Sequence, residues 1–599
     1  MNQGMIESPR YILDEIRMEA ESLPCTRGLP LKIQSAPKGS GAVYAFPCFQ
    51  YAKSIGKSPI ETAEELAKEF NEKLNSDLHK KEFPHSLIDR FEALKGYLNV
   101  FAKEKALLAR ILNDLKDYGD EYGSYPDTHQ TIVVDYCSPN IAKPLSVGHL
   151  RSTIIGQALI NILRARGYRV EGINFMGDWG TQFGKLLYAF EQWGNEKKLA
   201  EEPIRHLLEL YVRFHKEAKE NPALEDDARA AFKRLQQGGE KERALWQRFR
   251  ESSLEAFEKT VARLGVKFDH NWFESEFEER AHDLIEELLA KGVAEESKGA
   301  VIIPIPSPLE AGVWETPLLL RKSDGTTLYS ARDLASALAR IEDFEPVEKL
   351  IYVVGSEQAL HFANLAKALE RIGYPDILEH VRFGMVSLPT GKISTREGRV
   401  VYLDDLLDEA KKRAEDIIKE KNPDMPEDAR AEVAKKVGIG AVIYADLSQD
   451  RIKDITFDWQ KMLAFDGNSA PYLQYAAVRC AKILVKAEPG DRKRLEKPKD
   501  ADIPRMVAEI EEPESIELLM ALGRFPQAIT EAAQRYAPHV LASCLYDLAA
   551  ALSRFYTEVP VLKAETDAAR LARLALVRAT SRVLRKGLAL LGIETPEEM

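Results

Sequence analysis

Hydrophobic and polar positions follow a regular order in the middle of the chain. An apolar run at 131–135 is typical of a buried strand, the segment after the next loop has helical periodicity as far as Gly167, and a second apolar run occupies 168–176. This order predicts a β-loop-α-β unit. Polar residues are concentrated in its loop, between the first strand and the helix.

The pattern after this unit predicts that the sheet is interrupted and then resumes. Residues 195–300 are rich in Glu, Lys, Arg and Leu at helical spacing, with a Gly-Gly loop signal inside, and we interpret them as a helical insertion. Strand-like runs return at 300–305, 349–354 and 381–388. Strands that alternate with helices favour a doubly wound parallel sheet.

The two ends of the chain have different patterns. The periodicity predicts a helix over 60–75 and a strand over 96–101, so we expect the first 125 residues to form a mixed α/β module. From about residue 404 onward the periodicity is helical only. Residues 489–504, which are charged and contain one glycine and three prolines, indicate an exposed connection.

Composition narrows the class of protein without identifying it. A chain of 599 residues is too long for one core and predicts three or more domains. The formal net charge of −12 argues against a general nucleic-acid coat but allows a local basic face. Five scattered cysteines, none in a Cys-x-x-Cys pair, support neither a disulfide framework nor a zinc site. Without a signal-peptide pattern or a run of roughly 18 apolar residues, we expect a cytoplasmic protein.

The loop of the β-loop-α-β unit contains the strongest candidate site. Residues 138–153 have the sequence Ser-Pro-Asn-Ile-Ala-Lys-Pro-Leu-Ser-Val-Gly-His-Leu-Arg-Ser-Thr, and such a loop lies where open parallel sheets bind ligands. Backbone N–H groups at the start of the following helix can bind an anion, and Gly148 with His149 would suit a nucleotide phosphate. The alternative is an ordinary turn whose histidine lies on the surface.

A second candidate is the basic loop Gly391-Lys-Ile-Ser-Thr-Arg-Glu-Gly398, which follows the strand predicted at 381–388. Its two cations and two hydroxyls lie between glycines. A loop of this kind could close over a triphosphate and stabilise the charge that develops there. Taken alone, a solvated basic loop explains the same residues.

A third candidate combines Tyr329 and Asp333 with the segment 357–361. Four residues apart, Tyr329 and Asp333 share a face if the segment is helical. A carboxylate beside an aromatic ring suits a planar guanidinium, because the acid accepts paired N–H bonds and the ring packs on the plane. The alternative is an acidic residue favoured by the helix dipole, with Tyr329 in the core.

The carboxyl-terminal part ends in an arginine-rich helix. Arg578, Arg582 and Arg585 share one face of it. Cations on one face, together with exposed aromatics such as Tyr475, Phe555 or Tyr556, suit phosphate contact and base stacking. The alternative is a solvated charged face with those aromatics in the core.

Together these segments resemble the arginyl-tRNA synthetases, which are class I aminoacyl-tRNA synthetases. Residues 138–153 resemble the HIGH region of that family, and Gly177-Asp-Trp-Gly-Thr-Gln-Phe-Gly184 matches another of its hallmarks. The loop 391–398 looks like its KMSKS loop, and the helical carboxyl-terminal part resembles its anticodon-binding (DALR) domain. The resemblance covers most of the chain and is thinner in the insertion and at the amino terminus.

The resemblance implies an α/β fold: a Rossmann-type doubly wound parallel sheet catalytic domain with a helical insertion, an N-terminal α/β domain and a C-terminal all-helical anticodon-binding domain. The expected boundaries are 1–125 for a tRNA-contacting domain, 126–410 for the catalytic domain with its insertion at 195–300, 411–470 for a helical stem and 471–599 for the anticodon-binding domain.

The resemblance also implies four groups of site residues. The residues expected to bind arginine are Asp135, Asn140, Tyr329, Asp333 and Gln358. Those expected to bind ATP are Ser146, Gly148, His149 and Ser394, and those expected to act in catalysis are Lys143, His149, Lys392 and Arg396. Those expected to bind tRNA are Tyr475, Arg578, Arg582 and Arg585.

Two positions depart from the family pattern. The HIGH tetrapeptide usually begins with His, where this chain has Ser146, so phosphate contact would depend on His149 and on Lys143 before the loop. The second lysine of KMSKS falls on Thr395, and the nearest cation is Arg396. An arginine keeps the charge but is bulkier and differs in shape.

The implied activity is that of an arginine–tRNA ligase, which activates L-arginine with ATP, supplied with Mg²⁺, and transfers it to the terminal adenosine of tRNA(Arg). We expect a monomer with no tightly bound cofactor, no metal site of its own and no membrane partner. Two other hypotheses stay open: a stand-alone nucleotidyltransferase that shares an x-x-Gly-His loop, and a synthetase-like RNA-binding protein without ligase activity, which Ser146 motivates.

Overall fold

The structure is a computed structural model that describes residues 11–22, 33–36, 41–305, 316–388, 391–392 and 401–599. The chain forms two compact units. The first unit is Met1–Tyr125, Ala476–Glu531 and Cys544–Lys586, and the second unit is Pro126–Tyr475, Ala532–Ser543 and Gly587–Met599. Within the described ranges no helix combines the length and apolar character needed to cross a membrane.

The amino-terminal part of the first unit is a mixed α/β module. Its elements are α1 (Ile12–Ser22), β1 (Gln34–Ser35), β2 (Tyr44–Pro47), α2 (Phe49–Ile55), α3 (Pro59–Leu74), α4 (Asp77–Glu82), β3 (Ile88–Leu94), β4 (Tyr97–Ala102) and α5 (Glu104–Tyr118). The strands form an antiparallel sheet in the order β1-β2-β4-β3. At the start of α3 the N–H of Glu61 donates to the Ser58 hydroxyl at 3.2 Å, and Pro59 takes the first helical position. The predicted helix over 60–75 and strand over 96–101 are confirmed.

The second unit is built on a five-stranded parallel sheet. Its elements up to residue 380 are β5 (Thr131–Asp135), α6 (Val147–Ala165), β6 (Arg169–Met176), α7 (Thr181–Trp193), α8 (Glu196–Glu201), α9 (Pro203–Glu220), α10 (Leu224–Gln236), α11 (Glu240–Arg263), β7 (His270–Phe273), α12 (Glu278–Ala290), β8 (Glu295–Ser297), β9 (Ala300–Ile303), β10 (Leu318–Arg321), α13 (Tyr329–Asp343), β11 (Val347–Tyr352), α14 (Ala359–Ile372) and β12 (Leu378–His380). The sheet order is β12-β11-β5-β6-β7.

The central strand β5 is buried along its whole length. Helix α6 packs so closely on the end of this strand that a Cβ on Gly156 would overlap the ring of Tyr136. All neighbouring pairs in the sheet are parallel. The predicted fold class, with its Rossmann-type sheet, helical insertion and helical carboxyl-terminal part, is confirmed.

Three predictions about individual strands are wrong. β7 lies inside the segment predicted to be helical, because it has four residues, of which one, Phe273, is buried, and so short a strand gives no alternating pattern. β9 belongs to a separate antiparallel sheet with β8 and β10 rather than to the main sheet. The strand predicted at 381–388 is divided, since β12 ends at His380 and a short strand, β13 (Val386–Leu388), begins in another sheet.

The remaining chain is almost entirely helical. Its elements are β14 (Gly391–Lys392), α15 (Leu403–Lys421), α16 (Glu427–Leu447), β15 (Ile455–Thr456), α17 (Trp459–Met462), α18 (Ala470–Lys486), α19 (Pro489–Glu496), α20 (Asp502–Ala508), α21 (Pro513–Gly523), α22 (Phe525–Gln534), α23 (Pro538–Glu558) and α24 (Asp567–Leu590). The connection predicted at 489–504 is wrong: Pro489 begins α19 and Pro504 lies in the first turn of α20. Proline fits there because the first helical N–H groups have no partner to lose.

Candidate active site

The carboxyl ends of the parallel strands bring together the loops that follow β5, β6, β7 and β11. β5 and β11 are neighbours although the chain order reverses between them, so their shared edge is the topological switch point of the sheet. Asp135, the last residue of β5, pairs in register with Tyr352 at the end of β11. Asn140, in the loop after β5, bridges to Gly177 after β6. This edge is where a sheet of this kind binds its ligand.

Hydrogen bonds from several elements hold the loop after β5. The N–H of Cys137 donates to the Ser152 hydroxyl at 2.9 Å, and that hydroxyl donates to the carbonyl of Val353 at 2.6 Å. The N–H of Ala142 donates to the Ser253 hydroxyl at 2.9 Å. Cys137 and Ala142 have φ angles of 68° and 62°, which cost side-chain-bearing residues on the order of 1–2 kcal/mol each. The anchoring bonds keep a strained loop in one conformation.

His149 lies at the start of α6, three residues after the N-cap, Ser146. The backbone N–H of Ser146 donates to Nδ1 of His149 at 3.1 Å, and the Ser146 hydroxyl lies 3.1 Å from the same nitrogen. Burial lowers the pKa of His149 to about 4, and the charge of Lys143 acts in the same direction. The ring is therefore neutral at neutral pH. With Nδ1 occupied as an acceptor, its N–H is on Nε2 and is available to donate.

The other predicted phosphate-binding residues have mixed outcomes. Gly148 is exposed at the start of α6, and Lys143 is half-buried, with its Nζ 5.4 Å from the centre of the Tyr211 ring. The side chain of Lys392, in β14, lies outside the described part of the structure, as do Ser394 and Arg396. Their roles stay predictions.

The buried residue Arg151, two positions after His149, joins α6 to the strand that leads into the basic loop. It is 1% exposed, and its Nε donates to Asp446 at 2.9 Å. Its Nη1 donates to the carbonyls of Gly384 and Lys453 at 2.8 and 2.9 Å. Since residue 384 precedes β13, Arg151 joins the start of α6 to the chain just before that strand. Sequence reasoning missed this role, because the pattern around Arg151 carries no signal of its distant partners.

Tyr329 and Asp333 share a face at the start of α13, as predicted. Nε2 of His361, on α14, lies 2.8 Å from Oδ2 of Asp333, and the rings of His361 and Tyr329 are 5.0 Å apart. Tyr329 is 53% exposed and the Asp333 side chain 26% exposed. The alternative with Tyr329 in the core is therefore excluded. Gln358, also predicted for this site, is exposed in the turn that follows β11.

Asp135, the other predicted acid, has a different environment. Its Oδ2 lies 2.6 Å from Nη2 of Arg340, and the Ser138 hydroxyl donates to its Oδ1 at 2.6 Å. Arg340 is 0% exposed and also donates to the Tyr352 hydroxyl at 2.9 Å. Burial raises the pKa of Asp135, and the positive charge of Arg340 opposes that rise. The carboxylate already binds a guanidinium of the chain itself, so its contact with a substrate stays a prediction.

The segment Gly177–Gly184, which follows β6, packs against the loops at the same edge of the sheet. A Cβ on Gly177 would overlap the side-chain amide of Asn140, so this close approach requires glycine. Asn140 is exposed, and its Oδ1 accepts from Gln182 at 3.3 Å. Asp178 is fully buried and accepts from the N–H and the hydroxyl of Ser275 at 2.8 and 2.7 Å, which joins the loops after β6 and β7. Asp178 was not predicted from the sequence.

The predicted tRNA-binding residues are partly exposed. Tyr475 is 37% exposed, whereas Phe555 is 0% exposed, so the suggestion that Phe555 is available for stacking is wrong. Arg578, Arg582 and Arg585 are each half-buried on α24. Nε of Arg582 lies 2.9 Å from Asp120.

Two family models together cover most of the chain. The catalytic-domain model of the class I tRNA synthetases (R) matches residues 112–459, and the DALR anticodon-binding domain model matches residues 473–599. Fold and site thus define a class I aminoacyl-tRNA synthetase.

Relatives and solved structures agree with this class. The chain is 41% identical over 557 residues to an arginine–tRNA ligase of an Exiguobacterium species, covering 93% of each chain, and 41% identical over 571 residues to one of Clostridioides difficile, covering 95% of each. The arginyl-tRNA synthetase structure of Thermus thermophilus superimposes with a TM-score of 0.79 at 28% identity, covering 98% of this chain and 100% of that one. The chain belongs to the arginyl-tRNA synthetase family, which confirms the predicted resemblance.

Proposed function

We propose that the protein is an arginine–tRNA ligase. The observation that carries this proposal is the half-exposed pair of Asp333 and Tyr329 beside the switch point of a class I synthetase sheet. A carboxylate with an open aromatic neighbour is the arrangement that suits a planar guanidinium. The family membership of the chain supports the same substrate.

In the first step, a carboxylate oxygen of arginine bonds to the α-phosphorus of ATP, and the bond from that phosphorus to the pyrophosphate oxygen breaks. Catalysis of such a displacement consists mainly of positioning and charge stabilisation. His149 contributes a neutral Nε2–H donor at the start of α6, in keeping with its lowered pKa of about 4. We assign phosphate contacts to Lys143, Lys392 and Arg396 as well, with Mg²⁺ supplied as part of the ATP complex.

Arginine itself is held at two ends. The guanidinium lies against the Asp333 carboxylate with the Tyr329 ring on its plane, while His361 fixes the orientation of that carboxylate. The exposed polar groups of Asn140 and Gln358 face the α-ammonium and α-carboxylate. Asp135 acts through its bond to Arg340, which fixes the end of β5.

In the second step, the 2′-hydroxyl of the terminal adenosine of tRNA(Arg) attacks the carbonyl carbon of arginyl-adenylate, and AMP leaves. The adenylate is already activated, so no covalent enzyme intermediate is needed. We assign tRNA contacts to Tyr475, Arg578, Arg582 and Arg585. We also propose that the protein is a cytoplasmic monomer. Its domains would have the boundaries expected from the resemblance.

Arginine-dependent ATP–pyrophosphate exchange, measured with and without tRNA(Arg), tests the function. We expect exchange with arginine when tRNA is present and none with lysine. Absence of exchange in both conditions, while tRNA still binds, would contradict the ligase and favour a synthetase-like RNA-binding protein. Exchange without any dependence on arginine would favour a different nucleotidyltransferase.

A further inference from the structure

The first unit contains a cavity of about 280 Å³. We call it the α24 cavity, because α24 forms one wall and α5, α19 and α20 contribute the others. Its volume is just below the roughly 300 Å³ at which small-molecule pockets of proteins usually begin. The α24 cavity is therefore large enough for one small ligand group and too small for a nucleic-acid duplex.

Apolar side chains line most of the α24 cavity. Leu112, Ile503, Met506, Leu571 and Val583 face it, and each is at most 5% exposed. These aliphatic groups and the thioether, which we call the apolar slot of the cavity, suit an apolar ring, because the ring makes dispersion contacts with them.

Four cations and two carboxylates are among the residues that line the α24 cavity. Lys116 pairs with Asp117 at 2.9 Å, and Arg494 donates to Asp502 at 2.9 Å. The neighbouring Arg582 pairs with Asp120. These three cations have carboxylate partners within the unit.

Arg578 differs from the other cations of the cavity. Within the part of the chain that the structure describes, it forms no hydrogen bond or ion pair. Burial lowers the pKa of Arg578, the like charge of Arg582 acts in the same direction, and the charges of Glu496 and Asp120 oppose the shift without cancelling it. A partly desolvated guanidinium without a partner is unfavourable, and an anion beside it would offset that cost.

We propose that the α24 cavity is a nucleotide-binding site, in which a nucleobase occupies the apolar slot and the attached phosphate binds Arg578. Guanidinium groups bind phosphate through paired N–H donors and also stack on bases. The nucleotide comes from one of two sources: an unstacked nucleotide of tRNA, which rests on the proposed function, or a free nucleotide. The chemistry recognised is the same in both.

Two variants of the full chain separate the charge of the site from its shape. Arg578→Gln removes the cation and keeps the length of the side chain. Ala575→Phe fills the cavity from the same helix and keeps every charge. Arg554→Gln is the matched control, because it removes an arginine of the same unit that pairs with Glu517 and does not line the cavity.

The dissociation constants of a tRNA(Arg) transcript, of UMP and of GMP are measured across a range of salt concentrations, together with arginylation. If tRNA supplies the nucleotide, Arg578→Gln weakens tRNA binding about tenfold and lowers the slope of log Kd against log salt by about one. Ala575→Phe then weakens tRNA binding with no change in slope. If a free nucleotide is the ligand, UMP or GMP binds the natural chain and both variants lose that binding, while Ala575→Phe leaves tRNA binding unchanged.

Three results overturn the proposal. The variants bind all three probes as the natural chain does, or the natural chain binds none of them, or Arg554→Gln weakens tRNA binding as much as Arg578→Gln. Arginylation by the natural chain is measured separately, so that failure of this site and failure of the proposed function can be distinguished. If the natural chain does not arginylate tRNA, the proposed function fails, whatever the variants do to nucleotide binding.

Discussion

Two carboxylates at the same edge of the sheet, Asp135 and Asp333, have opposite environments. Asp135 is 4% exposed and binds the fully buried guanidinium of Arg340, whose charge also lies over the rings of Phe175 and Trp272. The Asp333 side chain is 26% exposed, and its hydrogen-bond partner among the described residues is His361. One acid is part of a closed internal pair, and the other is open.

The comparison shows why residue type alone does not identify a substrate-binding acid. Both are aspartates near aromatic rings, and the resemblance led us to expect both in the arginine site. The closed pair has the composition of an arginine site but is filled by the chain's own arginine, so its role is to fix the ends of β5 and α13. The open site has the same chemistry, and its carboxylate and ring are partly exposed to solvent. The four predictions below test this difference, beginning with the largest effect.

Breaking the closed pair should mainly affect stability. We expect Arg340→Gln to lower the free energy of unfolding of the second unit by about 3–5 kcal/mol, because Asp135 would remain buried without a counter-charge. Urea-induced unfolding followed by circular dichroism measures the change. Arg280→Gln is the control, since its pair with Glu342 is exposed and should contribute less than about 1 kcal/mol. If Arg340→Gln lowered the free energy of unfolding by less than about 1 kcal/mol, the pair of Asp135 and Arg340 would behave like a solvent-exposed pair, which would contradict its closed environment.

Burial should also act on His149, at the same edge. Its pKa is lowered from 6.5 to about 4, so below pH 6.5 the unfolded chain takes up a proton that the folded chain does not. The stability due to neutral His149 is therefore complete above pH 6.5 and is lost as the pH falls towards 4. We expect the free energy of unfolding to fall more steeply over this range in the natural chain than in His149→Asn. Parallel curves for the two proteins would contradict the lowered pKa.

His361 should matter to the open site because it orients Asp333. We expect His361→Leu to raise KM for arginine about tenfold with a smaller change in kcat, since the carboxylate would have to be ordered by the substrate. Steady-state ATP–pyrophosphate exchange measures both constants. His361→Gln, which keeps a donor, should recover part of the loss. A KM within twofold of the natural value for His361→Leu would contradict the role of His361 in orienting Asp333.

The ring of Tyr329 should have the smallest effect. We expect Tyr329→Leu to raise KM for arginine about threefold, in line with the 0.5–1 kcal/mol of a cation–π contact at an exposed site. Tyr329→Phe keeps the ring and should stay near the natural value in the same exchange assay. Equal losses in both variants would indicate that the hydroxyl, rather than the ring, makes the contact.

Local patterns predicted the parts of the site that lie close together in the chain. The order strand, loop and helix over 131–176 follows from apolar periodicity, and the spacing of Tyr329 and Asp333 follows from the helical repeat. His149 could be singled out because the start of a helix after a parallel strand is a place for anions.

Distant pairing could not be predicted in the same way. The partner of Asp135 is 205 positions away, and the partner of Arg151 is 295 positions away. No local pattern indicates which of many arginines will be buried beside which carboxylate. For the same reason β9 could not be assigned to its own small sheet. β7 could not be recognised as a strand, because four residues are too few to show a pattern.

The most direct test of the central claim compares arginine with citrulline, its uncharged isostere, as substrates of the natural chain and of Asp333→Asn. The ratio of the two kcat/KM values in ATP–pyrophosphate exchange with tRNA(Arg) isolates the contact to the guanidinium charge. We predict a strong preference for arginine in the natural chain that falls about 100-fold in Asp333→Asn, because a carboxylate paired with a charged group contributes several kcal/mol. An unchanged ratio, with arginine still used efficiently, would contradict the assignment of Asp333 to the substrate.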